Sequence, residues 1–86
     1  MADVLNTTLA AGASSSELSV TPLAPLAFNS SKPCEVLAKN TADSGASWGV
    51  IYQSRDGDDT RIIYPTSATI KVKAGSVAAR VLIVDG

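Results

Sequence analysis

The sequence predicts an all-β chain folded as a small antiparallel β-sandwich of six to eight short strands. Three observations lead there. Apolar and polar residues alternate over short runs, which is the period of a strand with one wet face. Clusters of Gly, Pro, Asn, Asp and Ser separate these runs at intervals of roughly 8–12 residues, the spacing of a sandwich. No helical period is sustained and no internal repeat occurs. The pattern leaves open whether the strands connect as a jelly roll or in the immunoglobulin manner.

Residues 1–16 are rich in Ala, Ser, Thr and Gly, with Val4, Leu5 and Leu9 the main apolar side chains. They read as an extended, flexible N-terminal arm with room for a short strand at Val4–Leu9; a frayed terminus is the plainer alternative. The β-sandwich domain then occupies residues 17–86. Glu17 to Thr21 alternates, with Leu18 and Val20 inward. Pro22 and Pro25 interrupt Leu23 to Phe28, which predicts an edge strand or an apolar coil, because proline cannot donate to a ladder. Asn29 to Pro33 is a turn cluster. Cys34 to Asn40 is a strand with Cys34, Val36 and Ala38 on one face. A loop of small polar residues leads to a strand at Ser47 to Ser54, where strict alternation places Trp48, Val50 and Tyr52 together. Arg55-Asp56-Gly57-Asp58-Asp59 has the composition of a tight hairpin, and Thr60 to Tyr64 returns as a strand. Ala68 to Val84 reads as a last hairpin around Ala74-Gly75-Ser76-Val77. Its first arm alternates through Ile70 and Val72, whereas Val81, Leu82, Ile83 and Val84 are apolar on both faces.

That last arm is the informative conflict. Each aliphatic left wet on the wrong face forfeits roughly 1.5–3 kcal/mol of burial. Cover could come from the Leu23–Phe28 segment, from the N-terminal arm, or from another chain. A chain of 86 residues forms one domain and buries only about 60–65% of its unfolded surface. Its single cysteine, Cys34, cannot form an internal disulfide, so the usual staple of a small domain is missing. Oligomerisation or docking onto a larger body is the remaining common source of stability.

Composition also narrows function. With 17% charged and 45% hydrophobic residues, the chain is not a solvated, disordered one. A net charge of −1 gives no basic face for nucleic acid. No apolar run reaches the roughly 20 residues of a membrane span. The N-terminus lacks a basic segment followed by a long apolar core, so a soluble chain made in a cytoplasm is expected. There is no histidine, which removes the commonest general base and transition-metal ligand. No enzyme and no cofactor are expected. Ser-Lys chemistry through Lys39, Lys71 or Lys73 is disfavoured because those lysines lie on wet faces. Cys34 shares a face with Val36 and reads as core filler rather than a nucleophile. Asp56, Asp58 and Asp59 around Gly57 resemble the start of an oxygen-ligand calcium site, but without the remaining ligands a solvated turn is favoured. Trp48 and Tyr52, about 13 Å apart along a strand, could stack on sugar rings if exposed; so small a sandwich favours them as core. Lys71 and Lys73 read as solubilising edge guards.

The layout resembles small tailed-phage virion proteins of the capsid decoration, or cement, type. The residues that carry the resemblance are Pro33-Cys34-Glu35-Val36-Leu37-Ala38-Lys39-Asn40, then Trp48-Gly49-Val50-Ile51-Tyr52, then Tyr64-Pro65-Thr66, then Ile70 to Val84. It covers residues 17–85 and consists of strand and turn types, not of a catalytic signature. Thr66 stands where those proteins usually carry Gly. The resemblance implies a structural protein on the capsid exterior. Such a protein binds major capsid protein subunits, often as a homotrimer or other homo-oligomer, without nucleic acid or membrane. Val4, Leu5 and Leu9 are then the expected anchors of the arm, by β-augmentation and apolar contact. A sugar-binding or fibre- or tail-associated module of a virion is the alternative.

Overall fold

A computed structural model of the chain describes residues 3–39, 47–55 and 59–85. Eight strands run in order: β1 (Asp3–Leu9), β2 (Leu18–Ser19), β3 (Leu26–Ser30), β4 (Cys34–Lys39), β5 (Trp48–Gln53), β6 (Asp59–Ile63), β7 (Thr69–Ala74) and β8 (Ala79–Asp85). They form two four-stranded antiparallel sheets, β1-β8-β3-β6 and β2-β7-β4-β5. The small β-sandwich expected from the alternation is therefore the observed architecture.

The strand order also resolves its topology. β1 pairs with β8, β2 with β7, β3 with β6 and β4 with β5. Each pair joins strands equally far from the middle of the chain, as if one long hairpin were wound around a barrel. Only β4 and β5 are consecutive and paired; every other connection crosses between sheets. This is the jelly-roll arrangement. It corrects two expectations. The strands that flank the expected Arg55–Asp59 hairpin, β5 and β6, belong to different sheets, and so do β7 and β8. Neither connection is a hairpin. The reason lies in the apolar faces: Ile70 and Val72 of β7 are fully buried, as are Val81 and Ile83 of β8. Two such faces bury each other when the chain arches from one sheet to the next.

The inner faces interlock around Phe28, Val36, Ile70, Val72, Val81 and Ile83, all without solvent access. β3 lies between β8 and β6, so the proline-interrupted segment supplies an interior strand rather than an edge. Both prolines precede Leu26, and every residue of Leu26–Ser30 retains its N–H. Pro22 instead occupies the second position of a turn closed by Ala24 N–H donating to Thr21 O at 3.2 Å, with Leu23 at φ +63°. That is a type II turn with leucine where glycine is usual.

The N-terminal segment is not a free arm over its described length. Asp3–Leu9 pairs with β8, Leu9 is buried, and Val4 and Leu5 pack against the core. Residues beyond β1 then dock on β7, with Gly12 N–H donating to Gly75 O at 2.8 Å and Ser15 N–H to Val72 O at 2.7 Å. The Leu5/Leu9 alternation gives the strand an apolar face that the edge of the sheet can bury, which outweighs the loose composition around it.

One polar knot closes an end of the sandwich. Ser54 Oγ accepts from the Cys34 N–H and from the Ser30 hydroxyl, both at 2.8 Å. Ser30 and Ser54 are buried, so these bonds answer the cost of placing hydroxyls away from water. They tie the end of β3 in one sheet to the start of β4 and the end of β5 in the other.

Candidate interaction surface

In antiparallel sheets, residues directly opposite each other share a face, so the registers say which side chains each sheet presents outward. On the β1-β8-β3-β6 sheet, Leu82 stands between Asn6 and Asn29, and Asn29 opposite Thr60. One row along, Val84 stands opposite Ala27, and Ala27 opposite Ile62. Of the doubly apolar run in β8, Val81 and Ile83 fill the core while Leu82 and Val84 are half-buried. Ile63 is likewise inward, and Ile62 is 55% exposed. Neither Leu23–Phe28 nor the N-terminal segment lies over this face: Leu26, Phe28 and Leu9 belong to the core. Asn29 Nδ2 donates to Thr60 Oγ1 at 2.8 Å, fixing the polar part of an open depression lined by Asn29, Ser31, Thr60, Arg80 and Leu82.

Two further apolar groups project at one end. Leu23 is 71% exposed at the tip of its turn, and Tyr64 is 60% exposed. They are held close in the chain fold because Leu23 N–H donates to Pro65 O at 2.7 Å. Beside that turn a cleft of about 310 Å³ opens between Val4, Val20, Ala24, Leu26 and Asp85. Among the described residues, Val50 and Val77 are the other large aliphatics with substantial exposure.

The β2-β7-β4-β5 sheet presents a different outer face. Leu37 stands opposite Val50 and Lys71, Lys39 opposite Trp48, and Glu35 opposite Gln53 and Lys73. The expected common face of Trp48, Val50 and Tyr52 is not formed. The register slips between Val36 and Leu37, whose partners are Tyr52 and Val50, so Ile51 is an extra residue on β5. Such a bulge reverses the parity on its far side. Trp48 and Val50 therefore lie outward, while Tyr52 packs against the core with its ring edge-on to Phe28 at 5.6 Å between centroids. Two of the lysines on this face, Lys71 and Lys39, are engaged. Lys71 Nζ sits 4.4 Å from the centroid of the Trp48 ring, a cation–π contact reaching across β4. Lys39 Nζ lies 3.4 Å from Glu17 Oε1.

The remaining candidate chemistry is placed as follows. Cys34 is buried, and desolvation pushes its thiol upward from the ordinary range, the opposite of an activated nucleophile. The nearby serines spend their hydroxyls on the interior knot. Asp56 and Asp58 lie outside the described residues, so the calcium expectation does too. Among the described residues no group of three His, Cys, Asp or Glu side chains is placed to hold a metal ion. Also among them, no helix is long and apolar enough to cross a membrane. Val4, Leu5 and Leu9 are not brought together as outward anchors; they line the inner side of β1. The exposed set instead comprises Leu23, Ile62, Tyr64, Val50 and Val77. Among these, Ile62 has a signal in the sequence itself: it is one of two consecutive isoleucines in a strand, whose side chains point to opposite faces. No family model, curated protein or solved structure matches this chain.

Proposed function

We propose that this chain is a non-enzymatic structural protein of a phage virion, decorating the capsid by docking on major capsid protein subunits. The observation that carries the reading is the set of large apolar side chains left outward once the core is full: Leu23, Val50, Ile62, Tyr64 and Val77. On a body this small, an outward apolar row such as Val84-Ala27-Ile62 supports a life spent in contact with neighbours. Two lines give secondary support. One is the resemblance of residues 17–85 to decoration proteins. The other is the jelly-roll topology, which recurs in viral capsid domains; this is an analogy of fold and carries only that weight. Attachment by apolar contact rather than by charge suits a chain of net charge −1.

The test is location and copy number. Antibody against the chain is used to probe purified particles from the producing lysate, and its copies are counted against the coat subunit. Occupancy in fixed proportion to the coat is the expected result. Absence from particles, or a few copies confined to the tail, overturns the capsid role. The tail- or fibre-associated, sugar-binding alternative has one feature in its favour, the outward Trp48 ring on β5. Lys71 already occupies a face of that ring at 4.4 Å, so a sugar would have to displace it. Binding on a glycan array that is lost in Trp48→Ala would favour this second reading.

A further inference from the structure

Four strands edge the two sheets: β1 and β6 in one, β2 and β5 in the other. An edge offers unpaired N–H and C=O groups to any strand that approaches, and proteins usually blunt it. Three of these edges are blunted. β2 has only two residues. β5 is bent by its bulge. β6 carries a charge at its midpoint, the exposed Arg61, and a charged side chain on an edge strand resists a new neighbour. β1 is different. Its irregularity lies between Asp3 and Leu5, and from Leu5 to Leu9 it follows β8 without a break. That stretch contains no charge, proline or glycine.

A second observation says what fits there. Leu5-Asn6-Thr7-Thr8-Leu9 is symmetric in residue type about Thr7. Read antiparallel against itself, it sets Thr7 against Thr7, Leu5 against Leu9, and Asn6 against Thr8. The faces agree as well. Leu5, Thr7 and Leu9 stand opposite Ile83, Val81 and Ala79 on the inner parity, whereas Asn6 and Thr8 stand opposite Leu82 and Arg80 on the outer one. Leucine thus meets leucine on the inner side with threonine against threonine at the centre, and polar meets polar outside. A strand from an unrelated partner has no need of such symmetry; an isologous contact between two copies requires it.

We propose that β1 is a homodimerisation edge, pairing antiparallel with β1 of a second copy, centred on Thr7, so that the two four-stranded sheets become one continuous sheet. Such a dimer does not depend on a role in a virion.

The test is sedimentation equilibrium over a wide concentration range, with amide hydrogen exchange in parallel. The wild type is expected to pass from monomer to dimer, and protection of the Leu5–Leu9 amides is expected to rise with concentration. Two double variants probe the register. Asn6→Glu/Thr8→Glu places like charges opposite each other twice across the interface. Asn6→Lys/Thr8→Glu places opposite charges there. Both carry the same Thr8→Glu change beside Arg80, and both positions are exposed, so circular dichroism melts should confirm folding. The dissociation constants are expected to differ by about tenfold or more, the like-charged variant being weaker. A wild type that stays monomeric at every concentration overturns the proposal. So does an oligomer equally indifferent to both variants, or one that protects a strand other than β1. Should either variant fail to fold, the concentration dependence of wild-type protection still decides. A monomer would leave the particle test of the previous section untouched.

Discussion

Leu23 holds φ at +63° in a type II turn that Ala24 N–H closes onto Thr21 O. For an L-residue the left-handed region costs about 1–2 kcal/mol. Glycine escapes that cost but loses about 0.5–1 kcal/mol more backbone entropy than alanine on folding. The side chain itself contributes little, being 71% exposed; its truncation to alanine forfeits under about 1 kcal/mol of burial. The informative comparison is therefore between Leu23→Gly and Leu23→Ala, which both lack that side chain and differ only in how they tolerate the turn. Leu23→Gly is expected to be the more stable by about 0.5–1 kcal/mol, reversing the usual order of these residues outside left-handed positions. For a domain of this size that is a difference of about 2–8 °C in Tm. Urea titrations at neutral pH, followed by circular dichroism and analysed with a common slope, would measure it. Equal stability, or alanine above glycine, would refute a left-handed Leu23. If the glycine variant also loses particle occupancy, the strain is kept for the sake of displaying the leucine.

Three more outcomes follow from particular contacts. Ser54→Ala leaves the buried Cys34 N–H and Ser30 hydroxyl without their shared acceptor and is expected to cost about 2–4 kcal/mol; Ser30→Ala removes a single donor and should cost clearly less, so equal losses in urea midpoints would argue against Ser54 as the hub. Burial raises the Cys34 thiol pKa, so folded protein holds its proton to higher pH than the unfolded chain; this stability is complete below the ordinary thiol pKa of about 8.5 and is lost as pH rises through the folded value. Cys34→Ala should flatten the decline in stability above that point, and an unchanged slope would count against the shift; the native thiol should also resist alkylation near pH 8. Phe28→Ala, at the fully buried centre, is expected to cost about 3–5 kcal/mol, whereas Trp48→Ala on the outer face should cost less than about 2 kcal/mol; a Trp48 loss as large as that of Phe28 would place the indole inside after all.

Much of the fold was legible because it rests on period. Cys34, Val36 and Ala38, or Ile70 and Val72, alternate with polar neighbours, and a strand that alternates has one possible inner face. The misreadings arose where local sequence is silent about partners. Gly75 and Ser76 are compatible with a hairpin or with an arch between sheets. What excluded the hairpin was the need of Val81 and Ile83 to face Ile70 and Val72 across the core. Trp48 and Tyr52 looked alike in phase until one added residue, Ile51, turned them to opposite sides. Nothing in β5 itself marks that bulge; it is a property of the pairing with β4.

The amino-acid sequence alone determined the class of structure: an all-β domain without a disulfide, in which an apolar strand near the C-terminus has one more greasy face than two layers can bury. Alternation and turn chemistry act between near neighbours, so they are readable along the chain. Only the tertiary structure decided the jelly-roll order, the inward set of Val4, Leu5 and Leu9, the outward set of Leu23, Ile62 and Tyr64, and the open edge of β1. Those features depend on which distant strands meet. That choice is made by the summed fit of whole faces, which no short window of sequence contains.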